Sequence, residues 1–176
     1  DNMQRFFPAD RIFLTGNPVR QNLLHTKLIP EEARKSLGLR PDVKTILVIG
    51  GSLGARTLNE SVLSERVHLE AHPEVQILWQ TGGYYKDAIA ERLKTEGQPD
   101  NLVVTDFVTD MGAAYAAADL VISRAGASSI SELALLGKPA ILVPSPNVAE
   151  DHQTHNALAL VDKEAALYVK DSEAFD

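Results

Sequence analysis

The nine residues Arg124-Ala125-Gly126-Ala127-Ser128-Ser129-Ile130-Ser131-Glu132 constrain this chain more than any other stretch. Just before them, Asp119-Leu120-Val121-Ile122-Ser123 is short, apolar and rich in β-branched residues, the pattern of a buried strand. Just after, Ile130, Leu133, Ala134 and Gly137 recur at i, i+3, i+4 and i+7, one face of a helix. Gly137 and Pro139 then stop that helix. The stretch is therefore a strand-to-helix turn. Its small residues let a ligand come close to the backbone. The free N–H groups and the positive dipole end of the helix favour an anion there. Glu132, one turn in, is a carboxylate placed to accept hydrogen bonds from sugar hydroxyls. The structural alternative is that Ser128 or Ser129 caps the helix and Glu132 complements its dipole.

The pattern occurs a second time. Thr45-Ile46-Leu47-Val48-Ile49 reads as a buried strand and runs into Gly50-Gly51-Ser52-Leu53-Gly54-Ala55, then into a helix through Leu58, Val62 and Leu63. No Gly-Lys-Ser/Thr follows, so this is not a Walker loop, and the G-x-G-x-x-G spacing of dinucleotide sites is missing. What remains is a phosphate-compatible loop with the Ser52 hydroxyl, although tight strand–helix packing would explain the glycines equally well.

Further strands are expected at Val75 to Gln80, Leu102 to Val104, Ala140 to Val143 and Ala166 to Val169, with a short extended segment from Arg11 to Leu14. Helices are expected from Pro30 to Gly38, from Tyr84 to Lys94, after a capping Asp110, and through Ala157, Leu158 and Val161. Strands alternating with helices make βαβ units, a parallel sheet and an α/β, Rossmann-like fold with helices on both faces. Such sheets bind ligands at the carboxyl ends of their strands, at a topological switch point. The loops at Gly50, Phe107, Arg124 and Pro144 all follow strands and are expected to converge on one crevice.

Composition excludes several classes. A net charge of −7 argues against a general nucleic-acid binder, but an anionic small ligand remains compatible because a helix terminus and one arginine act locally. There is no cysteine, hence no disulfide framework or thiolate metal site. No apolar run approaches the roughly 20 residues of a spanning helix. His152 and His155 lie at i, i+3 beside Glu150 and Asp151, but the loop offers no complete ligand set, so neither metal nor cofactor is expected. The opening Asp1-Asn2-Met3-Gln4-Arg5 and the closing Asp171-Ser172-Glu173-Ala174-Phe175-Asp176, which reads as a helix cut short, suggest a piece of a longer protein.

Five motifs, in order, carry a family resemblance. They are Thr15-Gly16-Asn17-Pro18-Val19-Arg20, Gly50 to Ala55, Phe107-Val108-Thr109-Asp110-Met111, Arg124 to Glu132, and Asp151-His152-Gln153-Thr154-His155-Asn156-Ala157. Together they resemble the C-terminal half of the MurG family. These are bacterial two-domain GT-B glycosyltransferases of peptidoglycan synthesis, which add N-acetylglucosamine to undecaprenyl-diphospho-N-acetylmuramoyl-pentapeptide.

The resemblance implies an inverting transfer from UDP-N-acetylglucosamine, with this chain as the donor-binding half. Residues 1–20 would enter from a missing N-terminal domain and residues 21–176 would form the donor domain. Arg20 and Ser52 would lie by the diphosphate and its sugar, and the turn Ala127-Ser128-Ser129 would approach both. The backbone of Val108 would read uracil, with Met111 packing nearby. Glu132 would bind the ribose hydroxyls, and Gln153, with Asp151 or His152 close by, the N-acetylglucosamine hydroxyls. Gly51 and Arg124 belong to the same loops.

No catalytic base is expected in this chain, since His25, His68 and His72 lie outside the motifs. The base, the lipid-linked acceptor site and a peripheral contact with the cytoplasmic face of the bacterial inner membrane would come from the missing domain. Two alternatives stay open: a UDP-sugar-binding subunit of a split glycosyltransferase, and an enzyme like the UDP-N-acetylglucosamine epimerases.

Overall fold

The computed structural model describes residues 2–13, 15–21, 23, 28–148 and 151–174. The apolar runs form a six-stranded sheet: β1 Lys44–Ile49, β2 Val75–Gln80, β3 Leu102–Thr105, β4 Leu120–Ser123, β5 Ala140–Leu142 and β6 Leu167–Tyr168. Every pairing is parallel and the order is β3-β2-β1-β4-β5-β6. Among the described residues, these helices connect or flank the strands: α1 Pro30–Ser36, α2 Arg56–Glu70, α3 Lys86–Glu96, α4 Met111–Ala117, α5 Ala127–Leu136 and α6 His152–Val161.

Each strand alternates its side chains between two cores, as period-2 geometry requires. Leu47, Ile49, Val121 and Leu142 face one core with Ala33 of α1, Ala114 and Tyr115 of α4, Leu133 of α5 and Ala157 of α6. Val48, Trp79 and Leu102 face the other with Leu58 and Leu63 of α2 and Ile89 and Leu93 of α3. The helices therefore cover both faces, as the βαβ pattern predicts. Two buried polar side chains of the second core are satisfied in a chain. Trp79 Nε1 donates to Asn59 Oδ1 at 3.0 Å, and Asn59 Nδ2 donates to Thr81 O at 2.9 Å.

The strand order places the switch point between β1 and β4. The chain steps outward through β2 and β3, then returns along α4 to lay β4 against the free side of β1. Ile49 pairs with Ser123 at the carboxyl end of that ladder. The two small-residue loops at Gly50 and Arg124 therefore emerge side by side, where an open sheet of this order takes its ligand.

The opposite end of the sheet is held by charge. Arg34 Nη2 and Lys44 Nζ both meet Asp119 at 2.8 Å, and the Thr45 N–H donates to the same carboxylate at 2.8 Å. The Arg34 guanidinium also donates to Ala117 O and Pro41 O. Burial alone works to raise the Asp119 carboxyl. Hydrogen bonds from Lys44 and Thr45, with the charges of Arg34 and Lys44, overcome it and hold the group below the usual carboxylate range.

Several boundaries differ from expectation. β5 stops at Leu142, paired on both sides by β4 and β6, and the edge strand β6 is only two residues long. Arg11 closes a 3₁₀ turn, Ala9–Arg11, and the following Ile12 is extended; Leu14 lies outside the described residues. Asp171–Glu173 is a short 3₁₀ turn, while Phe175 and Asp176, like His25 and Glu150, lie outside the described residues. Asp110 caps α4 as its sequence implies, accepting from the Ala113 N–H at 2.9 Å.

Candidate functional site

The first loop is shaped by close packing. Gly54 has φ +86, and a Cβ there would lie 2.1 Å from Thr81 O; Gly82, at φ +83, would likewise strike the Gly54 backbone at 2.1 Å. The loop after β1 thus presses onto the loop after β2. Gln80 Nε2 donates to Gly51 O at 2.8 Å and the Gly83 N–H donates to Ser52 O at 3.2 Å. These glycines are required by the fold.

Gly126 is different. Its φ of −65 and ψ of 150 suit any residue, and a Cβ built there meets nothing within 4 Å. Neither conformation nor packing within the chain calls for glycine at this position. It is also the N-cap of α5, and it brings no side-chain hydrogen bond. The alternative that Ser128 or Ser129 caps this helix is therefore corrected: both lie inside its first turn, past the cap position. The N-cap of α2, Ala55, also lacks a side-chain bond. Two helices thus begin at the switch point with first-turn N–H groups that no side chain caps.

Between them lies an open cleft of about 1050 Å³. Of the residues singled out from the sequence, Gly51, Ser52, Arg124, Ser129 and Gln153 line it. Gln153 Oε1 accepts from the Ser145 N–H at 2.9 Å, so its NH2 end is what remains to offer a ligand. Arg124 donates from Nη1 to Val143 O and Pro144 O at 3.0 and 3.1 Å and pairs with Asp171. Asp171 in turn accepts from Thr57 Oγ1 at 2.9 Å. Its carboxylate thereby joins the β4 loop to the first turn of α2. Sequence reasoning missed this role, because nothing local in Asp171-Ser172-Glu173 points to Arg124.

The other predicted residues, and the loop at Phe107 that was expected to converge there, do not line that cleft. Ala127 and Ser128 are exposed on the first turn of α5. Val108 and Met111 are buried in the core at the entrance to α4. Asp151, in a left-handed conformation with φ 49, opens α6 and accepts from Thr154 Oγ1 at 2.7 Å; His152 follows it, exposed. Among the described residues, no group of three His, Asp or Glu side chains is arranged to hold a metal.

Glu132 is 3% exposed, one turn along α5 from Ser129. Arg20 Nη1 pairs with its Oε1, and the Tyr115 hydroxyl donates to its Oε2 at 3.0 Å. Asn17 Nδ2 also reaches α5, donating to Ser131 Oγ at 3.0 Å. The segment carrying Thr15 to Arg20 is thus brought against the helix that carries Glu132. Burial, then the charge and hydrogen bond of Glu132, push the Tyr115 hydroxyl far above its usual value, so it stays a donor at any ordinary pH. Tyr115 was also missed from sequence. The available signal was a single polar-tipped aromatic in an otherwise Ala/Gly/Met helix, which needs a partner when buried.

A parallel sheet in this order, with helices on both faces and two uncapped helix starts on a cleft at the reversal, defines a Rossmann-like, doubly wound domain. The chain belongs to the glycosyltransferase family 28 C-terminal domain family, whose profile matches residues 45–175. It is 61% identical over 176 residues to the UDP-N-acetylglucosamine–N-acetylmuramyl-(pentapeptide) pyrophosphoryl-undecaprenol N-acetylglucosamine transferase of Bacteroides thetaiotaomicron, covering 99% of this chain and 47% of that protein. Among solved structures it is similar to Acinetobacter baumannii MurG, with a TM-score of 0.65 and 33% identity over 92% of this chain and 44% of that one. The Methanocaldococcus jannaschii UDP-GlcNAc 2-epimerase has a TM-score of 0.62 at 14% identity, covering 98% of this chain and 48% of that one, a likeness of fold alone. The chain spans about half the length of the curated relatives it matches.

Proposed function

We propose that this chain is the donor-binding half of an inverting glycosyltransferase that moves N-acetylglucosamine from UDP-N-acetylglucosamine to undecaprenyl-diphospho-N-acetylmuramoyl-pentapeptide in peptidoglycan synthesis. The observation that carries the reading is Gly126. It is a glycine that the fold does not need, at an uncapped helix start on the cleft, one turn before a serine and two turns before a buried carboxylate. A diphosphate pressed against that backbone takes up the free N–H groups and the dipole. The sugars on either side fall to hydroxyl readers, Glu132 for the ribose and Gln153 with Asp151 or His152 for the N-acetylglucosamine. Ser52 and Arg20 complete the anion site, with Gly51, Arg124 and Ser129 in its walls and Ala127 and Ser128 on the same turn of α5 as Ser129. The Val108 backbone and Met111 serve the uracil end.

In the reaction, the acceptor hydroxyl forms a bond to the anomeric carbon as the bond to UDP breaks, with inversion. The helix starts stabilise the charge that gathers on the departing diphosphate. The acceptor proton goes to a base outside this chain. His68 pairs with Glu65, and His72 with Glu74, at the far end of α2. A helix of 15 residues puts that end about 22 Å from the cleft. The lipid-linked acceptor and a peripheral contact with the cytoplasmic face of the bacterial inner membrane belong to the rest of the protein, which residues 1–20 join to the donor domain. Among the described residues, no helix is long and apolar enough to cross a membrane.

Calorimetric titration tests the reading. UDP-N-acetylglucosamine should give saturable heat, UDP-glucose less and NAD none, and Glu132→Ala should abolish the first signal while the protein still melts cooperatively. Binding of NAD in preference, or a Glu132→Ala variant that binds as the unaltered chain does, would refute it.

A further inference from the structure

The two oxygens of Glu132 have unequal partners. Oε2 is held by Tyr115, whose ring is 2% exposed and packed in the core on α4. Oε1 is held by Arg20, whose side chain is 51% exposed, against 4% for that of Glu132. The Arg20 end of the pair lies in water, where solvent screens its charge and the long side chain must be ordered, so it is the more weakly held of the two contacts. The Tyr115 contact is the opposite case: a rigid donor, shielded from water, aimed at a charged acceptor. Its phenol, raised by burial and by the neighbouring carboxylate, cannot give up its proton and turn repulsive.

One oxygen is therefore anchored and the other is exchangeable. An ionised carboxylate accepts hydrogen bonds and donates none, so the ligand groups it can read are donors such as hydroxyls. Ser129 lines the cleft, and Glu132, three residues later, follows it on the same helix face.

We propose that Tyr115 is the positioning residue that fixes the Glu132 carboxylate for a ribose 2′,3′-diol, and that Arg20 is the occupant the diol displaces. This rests on the reading of the cleft as a site for a uridine-diphosphate sugar. Tyr115 touches no ligand itself. It keeps Glu132 from rotating, so that Oε1 faces outward. Arg20 shields the buried charge while the site is empty, and once displaced its guanidinium is released toward the diphosphate. Diol recognition and delivery of a cation to the phosphates are then one event.

The test compares UDP with 2′,3′-dideoxy-UDP by calorimetry, and the quantity read is the ratio of the two affinities. The unaltered chain should prefer UDP. Tyr115→Phe, which keeps the buried ring, should shrink that preference by about ten-fold and leave the dideoxy affinity unchanged. Arg20→Ala, read with uridine and 2′,3′-dideoxyuridine so that no phosphate contact enters, should raise the diol preference several-fold over that of the unaltered chain, because the diol no longer has an occupant to displace. A merely structural Tyr115 would lower both affinities together, and that result overturns the proposal, as does an Arg20→Ala ratio equal to the original. If Tyr115→Phe fails to fold, the Arg20→Ala ratio decides alone. An unaltered chain that binds UDP with no diol preference sinks this proposal and spares the donor-site reading. A chain that binds no uridine nucleotide sinks both.

Discussion

Replacing Gly126 with alanine separates what the fold needs from what a ligand needs. The added Cβ meets no atom within 4 Å and the backbone is already in a region open to alanine. The only folding cost is the slightly poorer N-cap propensity of alanine, about 0.5–1 kcal/mol. For a domain of 150–250 residues, 1 kcal/mol shifts the melting temperature by roughly 2–4 °C. Under the proposed donor reading the binding cost is larger. A methyl group at the mouth of α5 holds a diphosphate off the first-turn N–H groups. Each hydrogen bond to a charged group is worth about 1.5–3 kcal/mol, so losing one weakens binding by roughly ten- to a hundred-fold. Differential scanning calorimetry with and without UDP-N-acetylglucosamine reads both quantities in one experiment. The reasoning fails if the variant binds donor as tightly as before, or if its melting temperature drops by more than about 10 °C.

Two further substitutions probe the frame around that cleft. Gly54→Ala forces a Cβ to 2.1 Å from Thr81 O at a φ of +86, and should cost about 3 kcal/mol or more in a denaturant titration, far beyond Gly126→Ala. Asp119→Asn leaves the buried Arg34 charge without its carboxylate, and should cost about 2–3 kcal/mol at pH 7, scaled down from a fully buried pair because Asp119 is partly exposed. Since the Asp119 carboxyl is depressed in the folded state, its contribution is present above the unfolded pKa of about 3.9 and disappears as pH falls through the lower folded value. The gap between variant and parent should therefore narrow between pH 5 and pH 3 in urea melts; a constant gap would remove Asp119 from the explanation.

Much of this molecule can be read from its sequence, and the reasons are local. β1 and β4 announce themselves as β-branched apolar runs, because a strand covered on both faces has no polar positions to spare. The helix after Arg124 shows its start and its αL stop at Gly137 within one short window. Of the face read from Ile130, Leu133, Ala134 and Gly137, however, only Leu133 is buried, with Glu132 beside it, while Ala134 is exposed. From alternating elements alone, the parallel sheet and its carboxyl-edge crevice follow. The partners of the site residues do not. Glu132 is legible as a carboxylate one turn into a helix, whereas its contacts come from Arg20, 112 residues away, and from Tyr115 on the preceding crossover. Gly54 and Gly82 read as generic turn residues until the two loops are seen pressed together. Gly126 resembles them on paper, and its ordinary backbone angles with the open space at its Cβ position set it apart from both. Asp171 lies beyond the last strand, in a segment with no signature of its own.

That last residue bears on how the domain can be excised. By secondary structure alone, cutting after Lys170 appears harmless, since β6 has ended and only a single 3₁₀ turn follows. The cut would remove the carboxylate that Arg124 and Thr57 share. The guanidinium, 14% exposed, would be left with backbone carbonyls and no counter-charge, at the seam between the two loops that frame the cleft. A truncation that leaves every strand in place would then yield a protein that folds around its sheet yet holds the loops that frame the cleft out of register. Boundaries for crystallography or screening therefore belong beyond Ala174, whose carbonyl accepts from Ser61 Oγ at 2.7 Å and fastens the tail along α2.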